Sequence, residues 1–551
     1  MPKVGAFTFV LHSHLPYTRQ AGRWPHGEEW LHEAAAETYV PLLDALQGLM
    51  QEGVPARLTL GLTPILVEQL ADPDVQRNFV TYLDEKIQHA KDDLVRFDKT
   101  GNRHFAMLAG FYLDWYERVR SQFLEVYQGN LIPAFKRLQD AGMIELVTCA
   151  ATHGYLPLLD RDESIHLQLA AATASYRRHF GRPPRAIWLP ECAYRPGYIG
   201  DDGRERPGIE SFLAQHDLRL FFAETHMVEG GMPVGVAAGD AIGPYGAITR
   251  RYLVPFTEVR PAQPATTYLP YFVSTPDVSV IGRNNRSGLQ VWSAEWGYPG
   301  EYDYREFHKK DGFSGLQYWR VTGARVDLAE KDAYHPDWAA YKANQHADHF
   351  ANLVAELLTS FHHESGNFGI VSANYDTELF GHWWFEGVDW LKGVLRRLAE
   401  SDAVELTSAS DFVELRPPET VMYLPEGSWG AGGTHFVWDN ADTHWMWPIV
   451  HEAEGRMSQA VRKHSGSGGP QKTVLDQAAR ELLLLQSSDW PFLVTTGQAR
   501  EYAIQRFSQH VERFDSLLDS LDREAPDTEL ADRLWERDKV FPDIDARWFR
   551  A

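Results

Sequence analysis

Seven short β-rich runs, six of them each following a helical pattern, limit this chain's fold more than any other feature. The runs are residues 4–10, 57–62 (RLTLGL), 144–150 (IELVTCA), 186–189, 219–223 (RLFFA), 368–373 and 404–407. Before the sixth, Phe350, Leu353, Val354, Leu357, Leu358 and Phe361 recur at helical spacing. Such alternation predicts parallel strands joined by helical crossovers, an α/β fold. The length favours a closed barrel over an open sheet, a choice that periodicity alone leaves open. A catalytic domain is expected over 1–415, with insertions near 72–106 (helical, charged) and 195–300. Within the second, 224–300 is rich in Gly, Pro and aromatic residues and reads as a long loop over a site. Beyond 415 the pattern changes. PEGSWGAGG and RKHSGSGGPQKT read as loop, while VLDQAARELLLLQ and AREYAIQRFSQHVERFDSLL read as amphipathic helices. A helical C-terminal domain is expected over 416–551, contributing to the substrate groove.

Charge narrows the partners. Asp and Glu number 76 against 53 Lys and Arg, a net charge of −23. That surface repels nucleic acid and anionic membranes but not a neutral ligand such as a sugar. The two cysteines, Cys149 and Cys192, exclude a disulfide framework and a four-thiolate zinc site and fit a reducing compartment. The apolar run before His12 is too short for a signal-peptide core, so a cytoplasmic protein is expected. Eighteen Trp suit either a large core or stacking on pyranose faces.

In a parallel barrel the active-site residues stand at the C-terminal ends of the strands. The ends here carry His12-Ser13-His14, Thr152-His153, Glu191 and Asn374-Tyr375-Asp376. His12 and His14 share one face of an extended strand. With His153 they suit contacts to sugar hydroxyls, a zinc-type ligand set, or two buried, satisfied histidines. Glu191, in WLPECAYRPG, and Asp376 form a natural pair, since most glycosidases need two carboxyls, about 5–5.5 Å apart in retaining enzymes. Glu378 competes with Asp376, and Glu295 lies in an aromatic segment, so the pattern alone does not single out the pair.

The motifs HSHLPY (12–17), CAATHGYLPLL (149–159), WLPECAYRPG (188–197), YDTELFGHWWFEG (375–387) and PEGSWG (425–430) resemble, in order, those of glycoside hydrolase family fifty-seven. GRNNRSGLQVWSAEWGYPGEYDYREFHKK (282–310) and SDWPFL (488–493) resemble its 1,4-α-glucan branching enzymes. The resemblance implies an incomplete (β/α)7 barrel with a helical C-terminal domain and a retaining transglycosidase that forms α-1,6 branches from α-1,4 glucan, with no metal or cofactor. It implies Glu191 as nucleophile and Asp376 as acid/base. His12, His14 and His153 would line the donor subsite. Trp24, Trp292, Trp429 and Trp438 would make aromatic glucan contacts, and Arg283, Gly300, Asp489 and Gln498 further substrate contacts. Tyr245 would stand on a loop over the site. In the free enzyme Glu191 is expected to be ionised and Asp376 protonated. The alternatives are an α-amylase or 4-α-glucanotransferase of the same family, a metal-dependent hydrolase or deacetylase using His12, His14 and His153, and a non-catalytic glucan-binding protein. Transfer must outrun hydrolysis, which requires a held acceptor and a covered site. Tyr245→Ala is therefore expected to raise hydrolysis relative to branching, read as new reducing ends per α-1,6 bond formed; an unchanged ratio rejects that role.

Overall fold

A computed structural model describes residues 2–200, 203, 205–231, 242–243, 246–247, 260–293, 297–323, 325–464, 466–521 and 525–550. Tyr245 and Glu295 lie outside the described residues.

Strand β1 (Gly5–Ser13) is buried at all nine positions. A run without polar alternation, GAFTFVLHS, suits a parallel strand covered on both faces. Around it stand β2 (Leu58–Leu62), β3 (Ile144–Val147), β4 (Ala186–Ile187), β5 (Leu220–Ala223), β6 (Thr275–Gly282) and β7 (Gly369–Asp376). Parallel ladders join β7 to β1, β1 to β2 and β2 to β3. Others join β4 to β5 and β5 to β6. Two shorter links connect these sets. Thr148, just past β3, bridges Ile187 in parallel. Asn284, just past β6, donates its backbone N–H to the Ser372 carbonyl of β7 at 2.9 Å.

Two expectations are corrected. The run at 404–407 forms β8 (Val404–Leu406), but it pairs with β1 only at Gly5–Phe7, on the side where β2 pairs higher up. The segment 224–300 is not one loop. It contains a strand, Tyr271–Val273, antiparallel to β6, then β6 itself and a helix, Asn285–Trp292. Its short apolar run, VSVI, is hidden among Gly, Pro and aromatic residues, and only pairing with β5 makes it a strand.

Helices cover the strands as the apolar spacing predicts. On Pro336–Ser365, Phe350, Val354 and Leu358 are buried. Phe350 stacks on Phe9 of β1, centroids 6.0 Å apart, and packs edge-on to Trp390 at 4.9 Å. The charged insertion is helical: Pro73–Lys99, capped by the Asp72 carboxylate on the Asp74 and Val75 amides, then Arg103–Ser121. The C-terminal part is made of Met446–His464, Pro470–Leu485, Asp489–Thr496, Arg500–Leu521 and Thr528–Arg537. It is stitched to the strand ends by an antiparallel bridge between Gly154 and Ser487 and by Gln168 donating to Gln486 at 3.2 Å. None of the described helices is long and apolar enough to cross a membrane.

Beside the strand ends lies a buried ion pair. Arg305 grips Glu37 with two N–H···O bonds of 2.9 Å, and His382 Nδ1 approaches at 3.3 Å. Burial pushes the Glu37 carboxyl up, but Arg305 and His382 outweigh it and hold it at about 2. A carboxyl depressed on folding stabilises the protein above the usual carboxylate range, and that share is lost as pH falls through about 2. Arg305→Met leaves this carboxylate buried without its partner. The unfolding midpoint is expected to fall by the equivalent of about 3–5 kcal/mol near neutrality, and by less in acid, where Glu37 takes up a proton. An equal loss at both pH values rejects this account.

Candidate active site

The C-terminal ends of the seven strands bring a titratable group each, or a hydroxyl, to one end of the molecule. His12 and Ser13 close β1, Thr63 follows β2, His153 lies past β3, Glu191 past β4, Glu224 past β5, Arg283 past β6, and Asp376 closes β7. The register is strict: His12 of β1 lies directly opposite Asp376 of β7.

The three histidines form one stack. His14 lies 3.8 Å from His153 between ring centroids, His12 lies 5.1 Å from His153, and Trp188 covers His12 at 4.8 Å, nearly parallel. Five of their six nitrogens are engaged, and the sixth, His12 Nδ1, is buried without a hydrogen-bond partner. His12 Nε2 and His153 Nε2 share a hydrogen bond of 3.0 Å, and His153 Nδ1 and the Ser488 hydroxyl share one of 2.8 Å. His14 contacts Asp489 Oδ1 at 2.9 Å and the Thr63 hydroxyl at 3.1 Å. Burial first, then the neighbouring His14, lowers His12 and His153 well below the usual histidine range, so both are neutral. The three rings do not converge on one point as a ligand set. His12 and His153 group with Cys149, whereas His14 and His153 group with Asp489. His12, His14 and His153 thus do not make up one such group by themselves: their ring centroids stand at the corners of a triangle with sides of 3.8, 5.1 and 6.1 Å.

Glu191 sits on a tight turn, Pro190–Cys192, with left-handed backbone at φ 61°. Trp429 binds it twice, its backbone N–H donating to the Glu191 carbonyl at 3.0 Å and its indole N–H to Glu191 Oε2 at 2.5 Å. His153 Nδ1 stands 3.8 Å from Glu191 Oε1. Burial pushes the Glu191 carboxyl up to about 8 against the Trp429 N–H, which favours the ionised form; Asp376 adds to the rise and His14 opposes it. Burial also raises Asp376 well above the usual carboxylate range, with the Glu378 charge adding and Arg283 opposing. The direction for Asp376 is the expected one. Glu191 departs from the expectation of a plainly ionised group, because the enclosed site strips its water and one indole N–H does not replace it.

Among the supporting residues, Glu224, Gly288, Tyr39 and Ser487 are ones that sequence reasoning missed, and they hold or make room for Arg283, Glu378 and Asp489. Arg283 points one guanidinium nitrogen at Glu224 Oε1, 3.0 Å away, and both are buried. Gly288, one helical turn on, leaves the room: a Cβ there would meet Arg283 Nε at 2.9 Å. Glu378, seen from sequence only as a rival to Asp376, accepts hydrogen bonds from the Tyr39 hydroxyl and the His14 amide, the latter 3.2 Å. Asp489 reaches the stack because Ser487 donates to its other oxygen at 2.6 Å.

The remaining predicted contacts lie on other elements. Trp24 is 78% exposed on the loop after β1. Trp292 is half-buried at the end of its helix, Gly300 is exposed at the end of a turn, and Gln498 is half-buried between two C-terminal helices. Trp438 is corrected. It is fully buried, stacked on Tyr155 at 4.5 Å, and a Cβ on Gly430 would meet its ring at 2.6 Å. It offers no face to a sugar.

This arrangement has close counterparts. Residues 8–425 match the model of Glycosyl hydrolase family 57, and residues 449–549 match that of the 1,4-alpha-glucan branching enzyme C-terminal region. The chain is 43% identical to a 1,4-alpha-glucan branching enzyme of Thermococcus kodakarensis over 98% of its own length and 77% of that protein's. It is 32% identical to a probable 1,4-alpha-glucan branching enzyme of Mycobacterium tuberculosis, covering 99% of this chain and 98% of that one. The crystal structure of the branching enzyme of Pyrococcus horikoshii superposes with a TM-score of 0.88 at 42% identity, over 100% and 97% of the two chains. That of the alpha-amylase AmyC of Thermotoga maritima superposes at 0.82 and 30% identity, over 99% of each. With a family match across most of its length and relatives aligned over nearly all of it, the chain belongs to glycosyl hydrolase family 57.

Proposed function

We propose that this chain is a 1,4-α-glucan branching enzyme. It cleaves an α-1,4 bond by retaining double displacement and transfers the cut chain to a 6-hydroxyl. One observation carries the choice within the family. The region matching the branching-enzyme C-terminal model, residues 449–549, is the region that sends Ser488 and Asp489 into the histidine stack.

In this reading Glu191 is the nucleophile and Asp376 the acid/base. The proton of the pair belongs on Asp376. Glu191 has a direct hydrogen-bond donor, the Trp429 indole N–H, to favour its charge, with His14 nearby, whereas Asp376 faces Glu378 and has the Arg283 charge nearby in opposition. Asp376 protonates the glycosidic oxygen while Glu191 attacks the anomeric carbon and forms a glycosyl ester. Forming the ester removes the charge of Glu191, so Asp376 can take the proton of the incoming hydroxyl. The neutral imidazoles of His12 and His153, with His14, are suited to sugar hydroxyls. Arg283, Trp292, Trp429, Asp489, Gln498, Trp24 and Gly300 remain candidate contacts to the glucan chain. The ring of pairings from β1 through β7 supports an incomplete (β/α)7 barrel over 1–415, and the five α-helices among the described residues from Met446 onward support a separate C-terminal unit within 416–551. Both cysteines are free and buried, which fits a cytoplasmic setting.

A hydrolytic reading is favoured only by the likeness to the Thermotoga alpha-amylase, and product analysis separates the two. With amylose, iodine colour is expected to fall with few new reducing ends, and a debranching enzyme then to release short linear chains. Glu191→Gln is expected to lower this turnover by about 10⁴-fold while amylose binding persists. Reducing ends rising in step with colour loss, with nothing released on debranching, would make the chain a hydrolase. Full activity in the variant would remove Glu191 from the chemistry.

The pH profile tests the clamp on the nucleophile. Ionised Glu191 becomes populated as pH rises through about 8, so the acidic limb of kcat/KM lies far above the usual carboxylate range. Trp429→Phe removes the donor that favours the ionised form. The limb is then expected to move to higher pH, by about one to two units. A limb that stays put or moves down would sink this assignment.

A further inference from the structure

Glu191 is not alone in its strained geometry. His153 also holds left-handed backbone, at φ 57°. A residue with a Cβ stays in that region only where its surroundings over-determine it. The two meet at the mouth, His153 Nδ1 lying 3.8 Å from Glu191 Oε1.

Each is gripped at two points by one residue from a distant part of the chain. Trp429 donates to the carbonyl and to the carboxylate of Glu191. Ser488 treats His153 the same way. Its backbone N–H donates to the His153 carbonyl at 3.1 Å, and its hydroxyl shares the 2.8 Å bond with Nδ1. The other ring nitrogen is tied to His12, so the imidazole cannot swing without losing both bonds. Ser488 is 1% exposed and sits on the turn between Pro470–Leu485 and Asp489–Thr496. The Gly154–Ser487 bridge fastens that turn against the segment carrying His153.

We propose that Ser488 is a positioning residue for the transfer reaction: it locks the backbone and ring of His153 beside Glu191, as Trp429 locks Glu191 itself. The C-terminal helical region then sets the geometry of the nucleophile's wall, acting through His153 without touching the reacting atoms. This inference rests on the reading of Glu191 as nucleophile.

The test uses the full chain and two substrates. Fluoride release from α-maltotriosyl fluoride reports formation of the glycosyl ester, and amylose reports branching. Ser488→Ala keeps the backbone bond and removes the hydroxyl. It is expected to lower kcat on both substrates by about 10- to 100-fold, the scale of a misplaced reacting geometry, with KM for amylose and the unfolding temperature close to those of the unaltered protein. Ser488→Thr, which keeps the hydroxyl, is expected to recover most of the loss. Ser488→Cys replaces Ala, with the same expectation, should Ala fail to fold. Unaltered kcat in Ser488→Ala overturns the proposal. So does a loss matched by a raised KM and a lowered unfolding temperature, or one that Thr fails to recover in a folded protein. If the unaltered protein neither releases fluoride nor consumes amylose, the reading of Glu191 has failed, independently of Ser488.

Discussion

Parallel register is the constraint from which the rest follows. Because β7, β1, β2 and β3 run the same way, and β4, β5 and β6 do likewise, each of these seven strands delivers its last residue to one end. His12 and Asp376 are neighbours there by ladder pairing alone, 364 positions apart in the chain. Helical crossovers bury the strands on their outer side, which is why β1 has no exposed residue. The chemistry collects at the strand ends because the loops that follow them are free of that packing.

Burial at this end gives the carboxyls their character. Glu191, Asp376 and Glu378 are all pushed up, first by loss of water. What distinguishes them is the donors they keep: an indole N–H on Glu191, a tyrosine hydroxyl and a backbone amide on Glu378, and a guanidinium near Asp376. A pair of acids whose surroundings differ in this way can divide the roles of attacker and proton carrier.

The C-terminal helices belong to the same construction. Asp489 and Ser488 reach the histidine stack from a turn held against the segment after β3. The segment with Trp429, which grips Glu191, lies between the strands and those helices. The site is thus closed by residues far from the strands that carry its acids.

Much of this was legible in the order of residues. Alternating β-rich and helical patterns determined an α/β fold with helices at the end, because periodicity records which face each segment must bury. The motifs around His12, His153, Glu191 and Asp376 marked the strand ends that form the candidate site, and they marked the family. Other features needed the folded chain. Strand β6 lacked a clear pattern and exists through its pairing with β5, while 404–407 was a strand with a different place. Glu224 and Thr63 carry no local signal, since their partners are dozens of positions away; Ser488 opens the SDWPFL motif, but nothing in that motif shows that its partner is His153, 335 positions earlier. Trp438 and Trp429 look alike as letters, yet one is fully buried and the other donates its N–H to Glu191. Local order of apolar and polar residues is written in the sequence; which buried donor meets which buried acid is decided only when distant segments pack.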